Sequence, residues 1–141
     1  MDNKKVVEKL NKILEMEISG VVRYLHYGLM ITGPNRIPIV KWFHDQAMEA
    51  YQHASTIGEK ITALGGHPSL KVSNVPETKT HAVLDILKES LQFEKAAIEL
   101  YEELLGMCDG NVALEELVRE MIRLETEHIE EVTKMLNVSK S

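Results

Sequence analysis

The sequence predicts an all-α protein, a bundle of four helices in which two antiparallel hairpins are joined by one long crossover. Three observations lead to this fold class. Apolar residues recur at steps of three and four along four segments of the chain. Leu, Glu, Lys, Met, Ile and Ala dominate the composition, and most of these residues favour helix. Breaks rich in Gly, Pro, Asn and Asp separate the segments.

The ends of the helices follow from capping and helix-breaking residues. Asp2 or Asn3 can cap the first helix. Pro38 suits the first turn of the second helix, and Gly65 with Gly66 marks its end. Thr78 or Thr80 can open the third helix, and Asn111 can cap the fourth. The four helices are predicted at about residues 3–32, 37–64, 80–107 and 111–136.

The connection between the second and third helices sets the topology. It covers about residues 67–79, and ~13 extended residues span up to about 45 Å. A helix of ~27 residues is about 40 Å long. The connection can therefore return along the whole bundle, which makes the second and third helices parallel. The other two connections are short, so the helices that they join are antiparallel neighbours.

The composition excludes several classes of protein. A chain of 141 residues with 44% hydrophobic residues is expected to form one domain, residues 1–141, with a packed core. A net charge of −6 without a basic cluster argues against nucleic acid as a partner. No apolar run reaches the roughly 20 residues that span a membrane. Cys108 is the single cysteine and the start of the chain lacks an apolar signal core, so a cytoplasmic location is expected.

Each apolar stripe is interrupted near its middle by an ionisable side chain. The mid-points of equally long helices meet at one level of a bundle, so these side chains should converge in the core. Burying carboxylates without partners costs roughly several kcal/mol, and two divalent cations would remove that cost. A mixed oxygen and imidazole set without thiolate favours iron or manganese over structural zinc. The five residues are Glu17, His53, Glu94, Glu125 and His128.

The fourth helix carries two of the five residues in a Glu-x-x-His motif. Residues three apart share a helix face, so Glu125 and His128 can serve one cluster. The motif is common by chance on solvated helices, and a single core histidine is usually only hydrogen-bonded. The match in depth among all five residues is what favours a metal site.

From about Val6 to Leu136 the sequence resembles bacterioferritin, a member of the ferritin-like superfamily. The resemblance implies a ferritin-like fold and a two-iron centre, with Glu125 bridging the ions. It also implies ferroxidase chemistry, in which Fe(II) reacts with O2 or H2O2 and ferric mineral is stored. The matching segments are 16–18, 23–24, 53–54, 91–94 and 125–129, and the implied metal ligands are Glu17, His53, Glu94, Glu125 and His128.

One departure from bacterioferritin lies inside the expected site. The family carries a second bridging glutamate three residues before the histidine of the second helix, but Ala50 stands three residues before His53 here. Glu49 is a candidate replacement ligand, although about 100° of helix rotation separates it from position 50. The alternative is that Glu49 faces solvent or an inner cavity. Without a second bridge, the two metal positions should be unequal.

Two other departures concern haem and assembly. The haem-ligating methionine of bacterioferritin falls at Tyr51 here, and Met48 is out of register, so no haem is expected. The chain ends soon after Leu136, without the family's fifth helix, so a 24-subunit shell is not expected. A homo-oligomer is expected, either a dimer or a smaller cage.

Among the other polar residues, two tyrosines are candidates for a role at the site. Tyr24, two turns from Glu17, could hydrogen-bond a ligand or give up an electron, and packing is its alternative role. Tyr101 stands in the same relation to Glu94, and packing is the favoured interpretation for it. Four further histidines match no carboxylate pattern and are predicted to lie at the surface: His26, His44, His67 and His81.

Two other functions compete with the ferroxidase hypothesis. One is a di-metal redox enzyme that acts on peroxide or a small substrate without storing mineral. The other is a degenerate bundle that only binds metal or a protein partner, which the alanine at position 50 suggests.

Overall fold

The computed structural model describes residues 1–137, and among these there are four helices and no strand. The all-α fold class and the order of the helices are confirmed. The predicted domain extends to residue 141, and its residues 138–141 lie outside the described part. The helices are α1 (Asn3–Met30), α2 (Arg36–Ala63), α3 (Val83–Leu105) and α4 (Val112–Leu136).

Side-chain caps and a glycine turn fix three of the helix ends as predicted. Asp2 Oδ1 accepts a hydrogen bond from the backbone N–H of Lys5 at the start of α1, at 3.2 Å. Asn111 caps α4 in the same way. After α2, Gly65 adopts a φ of +82°, and the Gly66 N–H donates to the Ile61 carbonyl at 2.8 Å. That left-handed turn is the arrangement that favours glycine after a helix.

The start of α3 differs from the prediction. Neither Thr78 nor Thr80 caps the helix, and its N-cap position is Ala82. Thr78 Oγ1 donates instead to Glu89 Oε2 at 2.8 Å, and Thr80 Oγ1 accepts from the Ala82 N–H at 3.3 Å. Both hydroxyls are therefore engaged in holding the end of the crossover, and the helix begins about three residues later than expected.

The crossover runs beside α1 and returns the chain along the bundle. Near its start, the Asn11 amide Nδ2 donates to the His67 carbonyl at 3.0 Å, and Asn11 Oδ1 accepts from the Ser69 N–H at 2.8 Å. At its end, His81 Nδ1 lies 2.9 Å from the carbonyl oxygen of Met30. The crossover thus passes from near the N-terminal end of α1 to its C-terminal end. This path makes α2 and α3 parallel, as the sequence predicts.

The helices pack as two hairpins, α1 with α2 and α3 with α4, and α1 also contacts α3. Their core has two apolar clusters with a polar layer between them. Leu10 and Ile57 are fully buried in one cluster, and Phe43 and Ile86 in the other. Leu84, in the first turn of α3, is 43% exposed although it falls in step with the apolar residues of that helix.

None of the four helices between residues 1 and 137 is both long and apolar enough to cross a lipid bilayer.

Gly20 determines how closely α1 approaches its neighbours at the level of the polar layer. A Cβ atom at this position would lie 3.3 Å from Ala50 Cβ and 3.3 Å from the ring of Phe93. Three helices therefore meet at one point where only a hydrogen fits without displacement. The separation of α1, α2 and α3 beside the polar layer depends on this glycine.

Replacing Gly20 with valine should lower the free energy of unfolding by about 1–3 kcal/mol, because the added carbons push Ala50 and Phe93 apart. Gly58→Ala is the matched control, since no atom lies within 4 Å of the Cβ that it adds. That control should stabilise the protein by about 0.5–1 kcal/mol. Denaturant unfolding of both variants measures the difference, and a Gly20→Val variant as stable as the parent would contradict the close approach.

Candidate metal centre

The polar layer contains all five side chains that the sequence places at the middle of the helices. Three of the carboxylates are almost completely buried, with exposed fractions of 3% for Glu17 and 4% for both Glu94 and Glu125. His53 is buried, and His128 is half-buried. Each helix contributes at least one of these groups, because α1 to α4 present their mid-points at one level. The convergence of the five side chains is thus observed directly.

Their donor atoms form two groups of three, and one carboxylate belongs to both. The first group is Glu17, His53 and Glu125, and the second is Glu94, Glu125 and His128. Within each group the donor atoms lie within 4.8 Å of one another. Two cations could therefore sit side by side with the Glu125 carboxylate between them.

The distances inside the groups suit donors arranged around an ion. His53 Nδ1 lies 3.5 Å from Glu17 Oε2 and 3.6 Å from Glu125 Oε1, and His128 Nδ1 lies 3.8 Å from Glu125 Oε2. These separations are too long for good hydrogen bonds. Two donors that each bind one ion at ~2.1 Å are about 3–4 Å apart. Each oxygen of Glu125 faces a different imidazole.

Two buried atoms at the centre lack a hydrogen-bond partner, which tests whether metal ions fit. Within the described chain, Glu125 Oε2 and His128 Nδ1 are buried and have no such partner. A buried polar group left unsatisfied costs about 1–3 kcal/mol. A cation held by both atoms would satisfy them, and oxygen with imidazole is a donor set that suits iron or manganese. The residues therefore fit a pair of metal ions.

Two tyrosines hold the terminal carboxylates, and their pairing differs from the one predicted. Tyr24 donates its hydroxyl to Glu94 Oε1, and Tyr101 donates to Glu17 Oε1 at 3.0 Å. The sequence predicts that each tyrosine acts with the glutamate two turns away on its own helix. In the structure each hydroxyl binds a glutamate on the other helix of the α1–α3 pair. The favoured packing role of Tyr101 is therefore incomplete, since its hydroxyl also binds Glu17. In both glutamates the second oxygen remains available to a cation.

Burial keeps the two phenols in the protonated form that donates. Burial is the largest influence on the pKa of Tyr24 and raises it well above the usual value, and the negative charge of Glu125 adds to this. Burial likewise raises the pKa of Tyr101, with a further contribution from Glu17. Both hydroxyls therefore remain hydrogen-bond donors at neutral pH.

The imidazoles balance the charge of the buried carboxylates when no cation does so. Burial alone would lower the pKa of His53, but Glu125 and Glu17 outweigh it and raise the pKa to about 10. In His128, Glu125 and Glu49 outweigh the effect of burial and again raise the pKa to about 10. Burial raises the pKa of Glu17 above its usual value, and the charge of Glu125 reinforces this. In the metal-free protein both imidazoles are therefore protonated at neutral pH.

Ala50 and Glu49 lie on different sides of the centre. Ala50 is buried against Gly20 and lines the interior of the site without adding a donor. The Glu49 side chain is 28% exposed and lies beside both imidazoles, with Oε2 at 2.7 Å from His128 Nε2 and Oε1 at 3.6 Å from His53 Nε2. It faces an outer groove as well as the site.

The space enclosed by these side chains is small. It amounts to about 10 Å³, which is close to the minimum for one water molecule. Pockets for organic ligands usually measure about 300–1,000 Å³. The interior therefore has no room for an organic ligand of ordinary size.

Arg23 is buried beside the site, and the sequence predicted no role for it. Its guanidinium carbon lies 4.7 Å from the centre of the Phe93 ring, and Nη1 donates to the Tyr27 hydroxyl at 3.2 Å and to Glu89 at 3.4 Å. Phe93 lines the metal centre. The sequence holds one signal of its burial, since this arginine stands between Gly20 and Tyr24 on a stretch of helix that faces inwards. Arg23 connects the wall of the site to the end of the crossover through Glu89.

A four-helix bundle with a carboxylate shared between two Glu/His donor groups has the architecture of a di-metal carboxylate protein. The family model for Ferritin, a ferritin-like domain, matches residues 7–140. The chain therefore belongs to the ferritin-like family, and the resemblance to bacterioferritin is confirmed.

Individual relatives agree with this assignment. The bacterioferritin of Brucella melitensis biotype 1 is 29% identical over 138 residues, which cover 95% of this chain and 84% of the relative. A ferritin-like diiron-carboxylate protein from Bacillus anthracis superposes with a TM-score of 0.91 and 28% identity, over 96% of this chain and 98% of that one. Desulfovibrio desulfuricans bacterioferritin, described with a diiron site in different catalytic states, superposes with a TM-score of 0.89 and 25% identity. The match covers 98% of this chain and 81% of that one. Family and site geometry together support an iron-binding protein of the ferritin-like kind.

The raised pKa values of the two histidines predict how the metal-free protein responds to pH. Between pH 6.5 and about 10 the folded state keeps protons on His53 and His128 that the unfolded state releases. Stability must therefore fall as the pH rises through this range. Melting temperatures in the presence of a chelator measure the effect. A His53→Gln, His128→Gln double variant should show a shallower decline, and an equally steep decline in that variant would contradict the assignment.

Proposed function

We propose that this chain is a ferroxidase-type protein, which binds two iron ions at the centre and oxidises Fe(II) for iron storage or detoxification. The supporting observation is the pair of donor groups that share Glu125. Glu17 and His53 would hold one ion and Glu94 and His128 the other, and Glu125 would be shared by both. An iron pair, or manganese as the alternative, supplies the electrons for reduction of O2 or H2O2.

The side chains around the ligands fix the geometry of the site and its water content. Tyr24 and Tyr101 each hold one oxygen of a terminal glutamate, so the other oxygen points to the cation without rotating freely. The apolar clusters on both sides keep bulk water away from the layer. Tyr24 is the catalytic residue of this proposal: its hydroxyl donates to Glu94, and its phenol is a source of one electron.

Because Ala50 supplies no carboxylate, a single interior glutamate joins the two metal positions. The terminal ligands of the two positions also differ in burial, since His53 is buried and His128 is half-buried. We therefore expect unequal affinities, with the more enclosed Glu17–His53 position binding more tightly.

Aerobic oxidation of Fe(II) by the purified protein tests the ferroxidase function. We expect faster oxidation than in buffer, and a loss of at least about tenfold in Glu125→Gln, because both positions lose the shared carboxylate. Glu127→Gln is the matched control, since Glu127 lies on the same helix but is exposed and pairs with Arg123 at 2.7 Å. Oxidation no faster than in buffer would refute the ferroxidase function. A metal-free core after purification without chelator, together with no uptake of iron, would favour the degenerate bundle.

We also propose that the chain forms a homo-oligomer in the cytoplasm without haem. Val22, Leu25 and Leu29 form an exposed apolar stripe on α1, and burial between subunits would remove it from water. We propose that no haem is bound, because Tyr51 occupies the position of the haem-ligating methionine of bacterioferritin.

Native mass spectrometry of the purified protein checks the assembly. We expect a discrete oligomer, a dimer or a cage, and a shift towards smaller species in the variant Leu25→Glu, because a charge in the apolar stripe opposes association. A hollow cage that retains iron mineral favours storage, whereas a dimer favours a di-metal enzyme that acts on peroxide. A monomer at all concentrations would contradict the proposed assembly.

A further inference from the structure

The two imidazoles of the centre use their ring nitrogens in the same way. Nδ1 of His53 and Nδ1 of His128 face the buried carboxylates, at 3.5–3.8 Å. The other nitrogen of each ring, Nε2, points to Glu49, at 3.6 Å in His53 and 2.7 Å in His128. One carboxylate on α2 thus lies behind both imidazoles and links α2 to α4.

This position differs from that of a bridging ligand. A bridging carboxylate must lie between the ions, where the Nδ1 atoms converge, and Ala50 holds the place on α2 that faces this interior. The step from position 50 to position 49 turns a side chain about 100° around the helix. Glu49 therefore reaches the outer side of the rings, where it is in contact with the outer groove.

We infer that Glu49 is a positioning residue for the metal-binding histidine His128 rather than a replacement bridging ligand. This inference rests on the proposed metal site. By accepting the Nε2 proton of His128, Glu49 fixes the tautomer in which Nδ1 is free to bind the cation, while its other oxygen lies beside His53 Nε2 at 3.6 Å, beyond hydrogen-bond length. The contact with His128 is the shorter one, so the ion held by Glu94 and His128 depends on Glu49 more than its neighbour does.

Zn²⁺ is a suitable probe because it is diamagnetic and has no redox chemistry. We expect calorimetric titration of Glu49→Gln and Glu49→Ala to show affinity lowered by about 10–100-fold at one position and by less at the other. Asp45→Asn is the matched control: Asp45 is an acid one turn earlier in the same groove, and it pairs with Lys41 at 2.8 Å. That control should bind Zn²⁺ as the parent does. Equal affinity in the parent and both Glu49 variants would overturn the inference.

Nitrogen-15 NMR of the imidazoles gives a readout that does not depend on activity. In the Zn²⁺ form we expect metal-bound Nδ1 and protonated Nε2 in both histidines, and in Glu49→Ala a loss of the slowly exchanging Nε2–H signal of His128. The same signal should be visible in the metal-free protein, because the 2.7 Å contact between His128 and Glu49 does not involve a metal ion. If the parent binds no metal but shows this signal, the proposed function fails while the contact stands.

A double variant separates the positioning role from direct ligation. Ala50→Glu in the Glu49→Ala background supplies an interior carboxylate, which can raise Zn²⁺ affinity by itself, so the deciding readout is the Nε2–H signal of His128. If Glu49 positions the ring, this signal stays lost in the double variant even where Zn²⁺ affinity recovers. The visible spectrum of the Co²⁺ form adds a further check, because removal of a ligand changes the coordination number and the band intensities. Such a change in Glu49→Ala would overturn the inference.

Discussion

The middle of the bundle depends on how the repulsion among its buried carboxylates is neutralised. Glu17, Glu94 and Glu125 are nearly inaccessible to water and lie between two apolar clusters. Negative charges in such a place must be neutralised, by protons, by imidazolium or by cations. In the metal-free chain the carboxylates raise the pKa of His53 and of His128, so that imidazolium supplies the positive charge. A bound cation would take over this role and displace the protons from the imidazoles, so proton release would accompany metal binding.

The surrounding fold keeps these charges at a fixed separation. Gly20 lets three helices meet closely beside the centre, and the phenols of Tyr24 and Tyr101 tie carboxylates of α1 and α3 to the opposite helix. Arg23 extends this network outwards to Glu89 near the end of the crossover. The positions of the donors are thus held by backbone contact and hydrogen bonds.

Much of this arrangement could be predicted from the sequence, because it depends on helix periodicity and length. The four helices and the convergence of the five polar side chains follow from the spacing of residues such as Glu17 and Glu94 along their stripes. The partners of Tyr24 and Tyr101 could not be predicted, because a contact between helices depends on their axial stagger, which periodicity does not report. Whether Glu49 faces the interior or the outer groove depends on the rotation between two successive residues of the helix. Hydrophobic periodicity fits nearly as well when it is shifted by one residue, so it cannot decide between these positions. The late start of α3 reflects tertiary hydrogen bonds of Thr78.

The long crossover has a consequence for how copies of this chain can combine. It is the single covalent link between the two hairpins, and it lies on the surface of α1, held by Asn11 and by the Ser73 N–H, which donates to the Glu15 carbonyl at 3.2 Å. Exchange of one hairpin between two copies would leave every helix intact, but the apolar clusters that the two hairpins share would have to separate first. The topology therefore permits domain swapping, and the polar contacts of Asn11 favour closure within one molecule.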